Sequence, residues 1–275
     1  MAHGGLAADP PTATHVVTLE NESLRAQWET ERGTLVSLED KATGRQWVDP
    51  AVATPLYRVQ LVGEKSSIGS TAAKTVKVRK EQDAVVIECT HDGPAAMTVT
   101  CRFRLEEGTA NVLGRIAVRS DVPCRIDEVR FPLVALRLPF SGSGEHDEVL
   151  LPVCDGQVLR NPSENPAFHQ VRYPGSASLQ LLAAFDPSAG VSLASRDCEA
   201  HTKLFCTRRV DKKALELSIA HLLPQTAVTE WELGYDVDLA ALRPSPGLSE
   251  ITWESAADLY RRWALEQPWC RQTMA

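Results

Sequence analysis

Polar and apolar residues alternate along most of the chain. In residues 15–29, Leu24, Ala26 and Trp28 interleave with Arg25, Gln27 and Glu29, the signature of a strand with one dry and one wet face. Residues 33–48 read as a strand, a turn closed by Gly44, and a return strand carrying Trp47 and Val48. Residues 75–93 repeat the pattern about a turn at 81–83. In the next hairpin Met97, Val99, Cys101, Phe103 and Leu105 point inward, the turn falls at Glu106–Thr109, and Val112, Ile116 and Val118 return, with Thr98, Thr100, Arg102 and Arg104 facing water. Further strands are predicted over 124–138, 147–153, 178–185, 190–197, 202–210 and 214–222. The last, over 230–240, directs Trp231, Leu233, Tyr235, Val237 and Leu239 to one side.

Helical period is confined to residues 255–267, where Ala256, Leu259, Tyr260 and Trp263 recur at i, i+3, i+4 and i+7. Pro268 is expected to end that helix, and Trp269 and Cys270 carry the apolar run into a short tail. Strands that do not alternate with helices exclude a parallel βαβ architecture. The fold class is therefore all-β, about a dozen to sixteen strands in stacked antiparallel sheets with a C-terminal amphipathic helix. The expected boundaries are a flexible leader over 1–14, a β domain over 15–250 and a helical connector over 251–275.

With 275 residues the chain can bury a large core. A net charge of −7 without a basic block argues against nucleic acid and anionic membrane as partners. No apolar run approaches the roughly 18 residues of a membrane helix. The opening residues lack the charge and apolar stretch of a secretory signal. Seven cysteines without a Cys-x-x-Cys pair read as reduced thiols, with Cys89 and Cys101 as small core residues, which implies a cytoplasmic protein. Neither a metal site nor a cofactor is expected. Glycine-rich phosphate loops and Gly-x-Ser-x-Gly elbows are missing, and the seven histidines do not pair at ligand spacing.

What remains for chemistry lies in long loops and strand ends. His146 and His169 occupy such loops, whereas His221 continues a strand's apolar run and reads as structural. Asp155, Asp186 and Asp197 each end a strand beside turn residues, where Asp is also an ordinary turn former. Arg172 and Tyr173, in RYPGSASLQ, offer a guanidinium and an aromatic face to a polyol. Asp155, His169, Arg172, Tyr173, Asp197 and Lys203 are the candidate substrate-binding residues.

Three stretches carry a resemblance. The segment LENESLRAQWETERGTLVSLEDKATGRQWV resembles the opening of galactose-mutarotase-like β-supersandwich domains. The segments LLPVCDGQVLRNP, VRYPGSASLQLLAAFD and GVSLASRD are similar to the second half of the N-terminal domain of a poorly characterised group of glycoside hydrolases. SAADLYRRWALEQPWC is similar to the connector by which that group enters a (β/α)8 catalytic barrel. The resemblance implies a large antiparallel β-supersandwich, a non-catalytic, carbohydrate-associated domain that supports a barrel in cis or in trans and contacts its sugar substrate. Catalytic carboxylates would then belong to the barrel, so no residue here is assigned a catalytic role. Leu259, Tyr260, Trp263 and Trp269 would dock the two domains. Free-standing members of the fold are aldose 1-epimerases with a His acid and a Glu base. Their motif, His followed closely by an aromatic and Asn, has no counterpart, and His169 is followed by Gln-Val-Arg-Tyr. A divergent epimerase and a stand-alone carbohydrate-binding module are the alternatives.

Overall fold

The computed structural model describes residues 15–271 apart from 94, 155, 166, 167 and 212, so the expected leader over 1–14 lies outside the described residues. A small antiparallel sheet forms first from β1 (Val16–Glu20), β2 (Leu24–Glu29), β3 (Leu35–Asp40) and β4 (Arg45–Gln46), in that order. After β5 (Arg58–Leu61) and β6 (Ile68–Gly69) come the meander β7 (Thr75–Glu81), β8 (Ala84–His91) and β9 (Met97–Leu105), which leads into β10 (Asn111–Arg137). The second half contains β11 (Glu148–Leu151), β12 (Gln157–Arg160), β13 (His169–Tyr173), β14 (Leu181–Asp186), β15 (Ala189–Ser195), β16 (Lys203–Asp211), β17 (Ala214–Leu222), β18 (Ala227–Glu232) and β19 (Val237–Ala241). Helix α1 (Trp253–Leu265) and the single turn α2 (Pro268–Arg271) follow. Every ladder is antiparallel.

Strand β10 organises the molecule. Two strands were expected over 111–137, with Pro123 between them. Instead the chain bulges between Arg119 and Cys124 and continues as one strand of 27 residues, since a bulge lets a strand bend without ending. Its first half pairs with β9, β18 and β19, and its second half with β5 and β17. One strand therefore belongs to both layers. Between the layers Trp28 of β2 stacks on Phe103 of β9 at 4.9 Å, and Phe103 meets Phe131 of β10 at 5.7 Å. Aromatic rings of the small sheet and of both halves of the large one thus share one core, with Tyr57 and Phe205 buried in the same cluster.

Two further expectations change. The single strand predicted over 230–240 is two, β18 and β19, broken at residues 233–236. Gly234 and the inward-turned Tyr235 occupy the break, and the chain steps from one partner segment of β10 to another. Pro268 does not simply end the helix. Helix α1 stops at Leu265, and Pro268 opens α2, where its missing N–H costs nothing. The start of α1 is fixed by a capping box: Glu254 N–H donates to Thr252 Oγ1, and the backbone N–H of Thr252 donates to Ser255 Oγ.

Candidate functional sites

Three of the predicted site residues meet at one end of the sandwich. The register places Lys203 of β16 between Tyr173 of β13 and His221 of β17. Its side chain is wholly buried. Lys203 Nζ donates to Asp197 Oδ2 at 2.5 Å and to Gln180 Oε1 at 2.8 Å, and lies 5.1 and 4.9 Å from the ring centres of Tyr173 and Tyr235. Asp197 also accepts the N–H groups of Glu199 and His201 and pairs with His201 Nδ1 at 3.0 Å. His221 bridges Tyr235 Oη at 2.8 Å and Phe131 O at 2.9 Å. Burial pushes the Asp197 carboxyl up, but bonds from Lys203, His201 and Glu199 outweigh it and hold it below the usual range. Burial also draws the Lys203 ammonium below its ordinary value. A buried ion pair persists only with such close partnering, and with both side chains buried this one presents no surface to a substrate.

The other predicted residues stand apart. Arg172 is exposed, because it alternates with the inward Val171 and Tyr173. His169 lines a separate pocket of 80 Å³ with Arg160, Asn165 and Thr207. His146 is exposed, and Asp155 lies outside the described residues. Asp186 closes a turn by accepting the N–H groups of Ser188 and Ala189 and pairs with Arg45 at 2.7 Å.

A trough of 470 Å³ on the outer face of the second layer is lined by Arg58, Gln60, Ser67, Glu128, Arg130 and Arg208. Its residues converge through register: Arg58 faces Arg130, Gln60 faces Glu128, and Arg208 faces Glu216. Glu216 is buried beneath and accepts from Arg208 Nη2 at 2.9 Å and from Arg58 at 3.3 and 3.4 Å. Arg130 Nε donates to Glu128 Oε1 at 2.9 Å. Fixed guanidinium forks beside carboxylates can donate to and accept from a polyol. Strand β5, which carries Arg58 and Gln60, is not among the strands the sequence pattern predicts.

A further cavity, of 490 Å³, is a groove between α1 and the outer face of β15 and β19. The sandwich covers the first half of the helix stripe. Ala256 is buried against Leu181, Phe185, Leu242 and Ile251, with Leu259 and Tyr260 packed at the margin. Beyond it Tyr260, Trp263 and Trp269 form a ladder of rings 5.2 and 5.8 Å apart that ends with Trp269 45% exposed. Opposite the helix, Arg196 donates to both oxygens of Glu106 at 2.5 and 2.7 Å and to Asp238 Oδ2 at 2.6 and 3.0 Å. Burial, reinforced by Glu106 and Asp236, raises Asp238 to about 6 despite Arg196.

Of these three cavities none is lined by both a histidine and a carboxylate. Among the described residues no group of three or more His, Cys, Asp or Glu side chains is placed to hold a metal ion, and no helix is long and apolar enough to cross a membrane.

Comparison with solved structures fits this architecture into a known one. The α-N-acetylgalactosaminidase NagBb from Bifidobacterium bifidum superposes with a TM-score of 0.67 at 12% identity, over 92% of this chain and 39% of NagBb. A galactose mutarotase related enzyme from Lactobacillus acidophilus gives 0.56 at 10% identity, over 86% of this chain and all of that one. This chain has the galactose mutarotase-like fold. The GH36 α-galactosidase AgaB from Geobacillus stearothermophilus shares it at a TM-score of 0.53 and 10% identity, over 86% of this chain and 41% of AgaB. The chain thus spans about two fifths of the length of either glycosidase. No family model matches it, and no curated protein does.

Proposed function

We propose that this galactose mutarotase-like domain is a non-catalytic, carbohydrate-associated unit that supports the catalytic barrel of a glycoside hydrolase, in cis or in trans. The observation that carries this reading is the superposition on NagBb. The chain fits part of that longer glycosidase at 0.67, against 0.56 for a mutarotase relative covered over its whole length, while AgaB, the second longer glycosidase, gives 0.53. Helix α1 supports it: the sandwich holds Ala256 and Leu259, while Trp263 and Trp269 extend the ring ladder beyond it. Apolar surface of that kind marks a contact with another body. Leu259 and Tyr260 would set the helix, and Trp263 and Trp269 would meet the partner domain. The Arg58–Arg208 trough is the surface suited to sugar hydroxyls.

An epimerase needs an acid and a base facing one sugar, and the separation of His169 from every trough carboxylate speaks against that alternative. Polarimetry of freshly dissolved α-galactose and α-glucose should show no acceleration by the protein over buffer. Acceleration abolished by Glu128→Gln or Glu216→Gln would replace the accessory reading with an epimerase.

A further inference from the structure

The trough on β5, β10 and β16 holds more positive charge than its carboxylates balance. Arg58, Arg130 and Arg208 line it, against Glu128 on the wall and Glu216 buried beneath, in a chain whose net charge is −7. Arg58 and Arg130 are direct partners in the β5–β10 ladder, so their side chains leave the same face with Cβ atoms about 5 Å apart. Like charges directly opposite each other destabilise a sheet, and a counter-charge between them removes that cost. The carboxylates supply only part of it. Glu128 takes Arg130 Nε at 2.9 Å and Nη2 at 2.8 Å on a single oxygen. Glu216 takes Arg208 Nη2 at 2.9 Å, but Arg58 only at 3.3 and 3.4 Å, longer than the roughly 2.7–2.9 Å of a firm charge-assisted bond. Arg58 Nε, Arg130 Nη1 and Arg208 Nη1 make no hydrogen bond among the described residues. The three side chains are 26, 17 and 42% exposed, which leaves them open to an occupant of the trough.

These features narrow what the trough can hold. A cation meets three guanidiniums. An apolar molecule finds no apolar partner, because every lining residue is charged or polar. A neutral molecule can share the donors, but it leaves the surplus charge and the Arg58–Arg130 repulsion as they were. An oxyanion removes both, since its oxygens accept from two planar guanidinium forks at once. Its repulsion by Glu128 and Glu216 is reduced, because each of those carboxylates already accepts from an arginine. The volume of 470 Å³ admits an ion of the size of phosphate, sulfate or citrate.

We propose that the trough lined by Arg58, Arg130 and Arg208 binds a small oxyanion, through a phosphate, sulfate or carboxylate group seated between the Arg58 and Arg130 guanidiniums with Arg208 at its side. This goes beyond the role of the trough toward sugar hydroxyls and stands without it, since it rests on the surplus of charge and on the facing pair of arginines. It needs no partner domain.

Isothermal titration calorimetry with inorganic phosphate, sulfate and citrate at low ionic strength tests it, with galactose as the neutral comparison. At least one of the three anions should saturate with a Kd of about 1 mM or below, and added sodium chloride should weaken the binding. Arg130→Gln should weaken it about tenfold. That variant leaves only the part-exposed Glu128 without its partner, so it places no buried charge in the fold. Glu128→Gln keeps an acceptor for Arg130 Nε and removes a like charge from the wall, so it should tighten binding about threefold, a gain that a damaged fold does not produce. Three results overturn the proposal: no saturation by any of the three anions, an unchanged affinity in Arg130→Gln, or an affinity in Glu128→Gln that is equal to or below that of the parent. Saturation by galactose and by none of the anions overturns this inference alone and keeps the sugar reading of the trough. Saturation by an anion and not by galactose supports it and takes the sugar role from that surface.

Discussion

Lys203 is the residue on which one end of the sandwich turns. Its ammonium holds the carboxylate of Asp197, the amide of Gln180 and the faces of two tyrosines inside a region closed to water. Gln180 in turn donates to Asp197 O at 2.9 Å and reaches Tyr260 of α1 at 3.5 Å. Removing one member leaves the opposite charge buried, and that penalty exceeds what the intact pair contributes. Lys203→Met should therefore lower the unfolding free energy by about 3–5 kcal/mol in urea titrations. The double variant Lys203→Met, Asp197→Asn should recover part of it, because the Asn still accepts a backbone N–H. A single variant as stable as the parent would show that the ammonium is not the partner Asp197 depends on.

At the scale of elements, α1 is held by few contacts. Its start depends on the Thr252–Ser255 box, and its grip on the sheet on Ala256. Thr252→Ala removes a cap worth about 1 kcal/mol. Amide exchange in the first turns of α1 should accelerate about fivefold while β17 keeps its protection. Equal acceleration in both would mean that the helix opens only with the whole fold. The helix was legible because Ala256, Leu259, Tyr260 and Trp263 repeat at helical spacing, and the hairpin over 97–118 because five inward residues alternate without a break. The path of β10 was not, since Pro123 looks the same in a turn and in a bulge. The trough was hidden for another reason: Arg58 and Glu216 are 158 positions apart, and local period says which face a residue takes, not which strand lies beside it. Asp238 sits on the wet side of the alternation with Val237 and Leu239, yet α1 covers that side. Alternation cannot anticipate a helix laid over the outer face of a sheet.

Across the whole molecule, two buried groups tie stability to pH with opposite signs. His221, enclosed by Phe131 and Tyr235, is lowered to about 4, mainly by burial. A depressed His contributes stability that is present above its unfolded value of about 6.5 and is lost as pH falls through 4. Asp238 is raised from 3.8 to about 6 by burial. Its contribution is present below 3.8 and is lost as pH rises through 6. Each is worth on the order of 3 kcal/mol over its window, and the windows overlap, so between pH 4 and 6 one slope offsets the other. Asp238→Asn removes the falling slope alone. The unfolding free energy of that variant, minus that of the parent, should climb with pH by about 3 kcal/mol from pH 3 to 7. The rise should be centred between the two Asp238 values, because carboxylates remote from position 238 titrate alike in both proteins. A flat difference curve would mean that Asp238 ionises as freely in the fold as in the unfolded chain. The Arg196 pairing would then compensate its burial in full, and the groove under α1 would hold a fixed negative charge throughout.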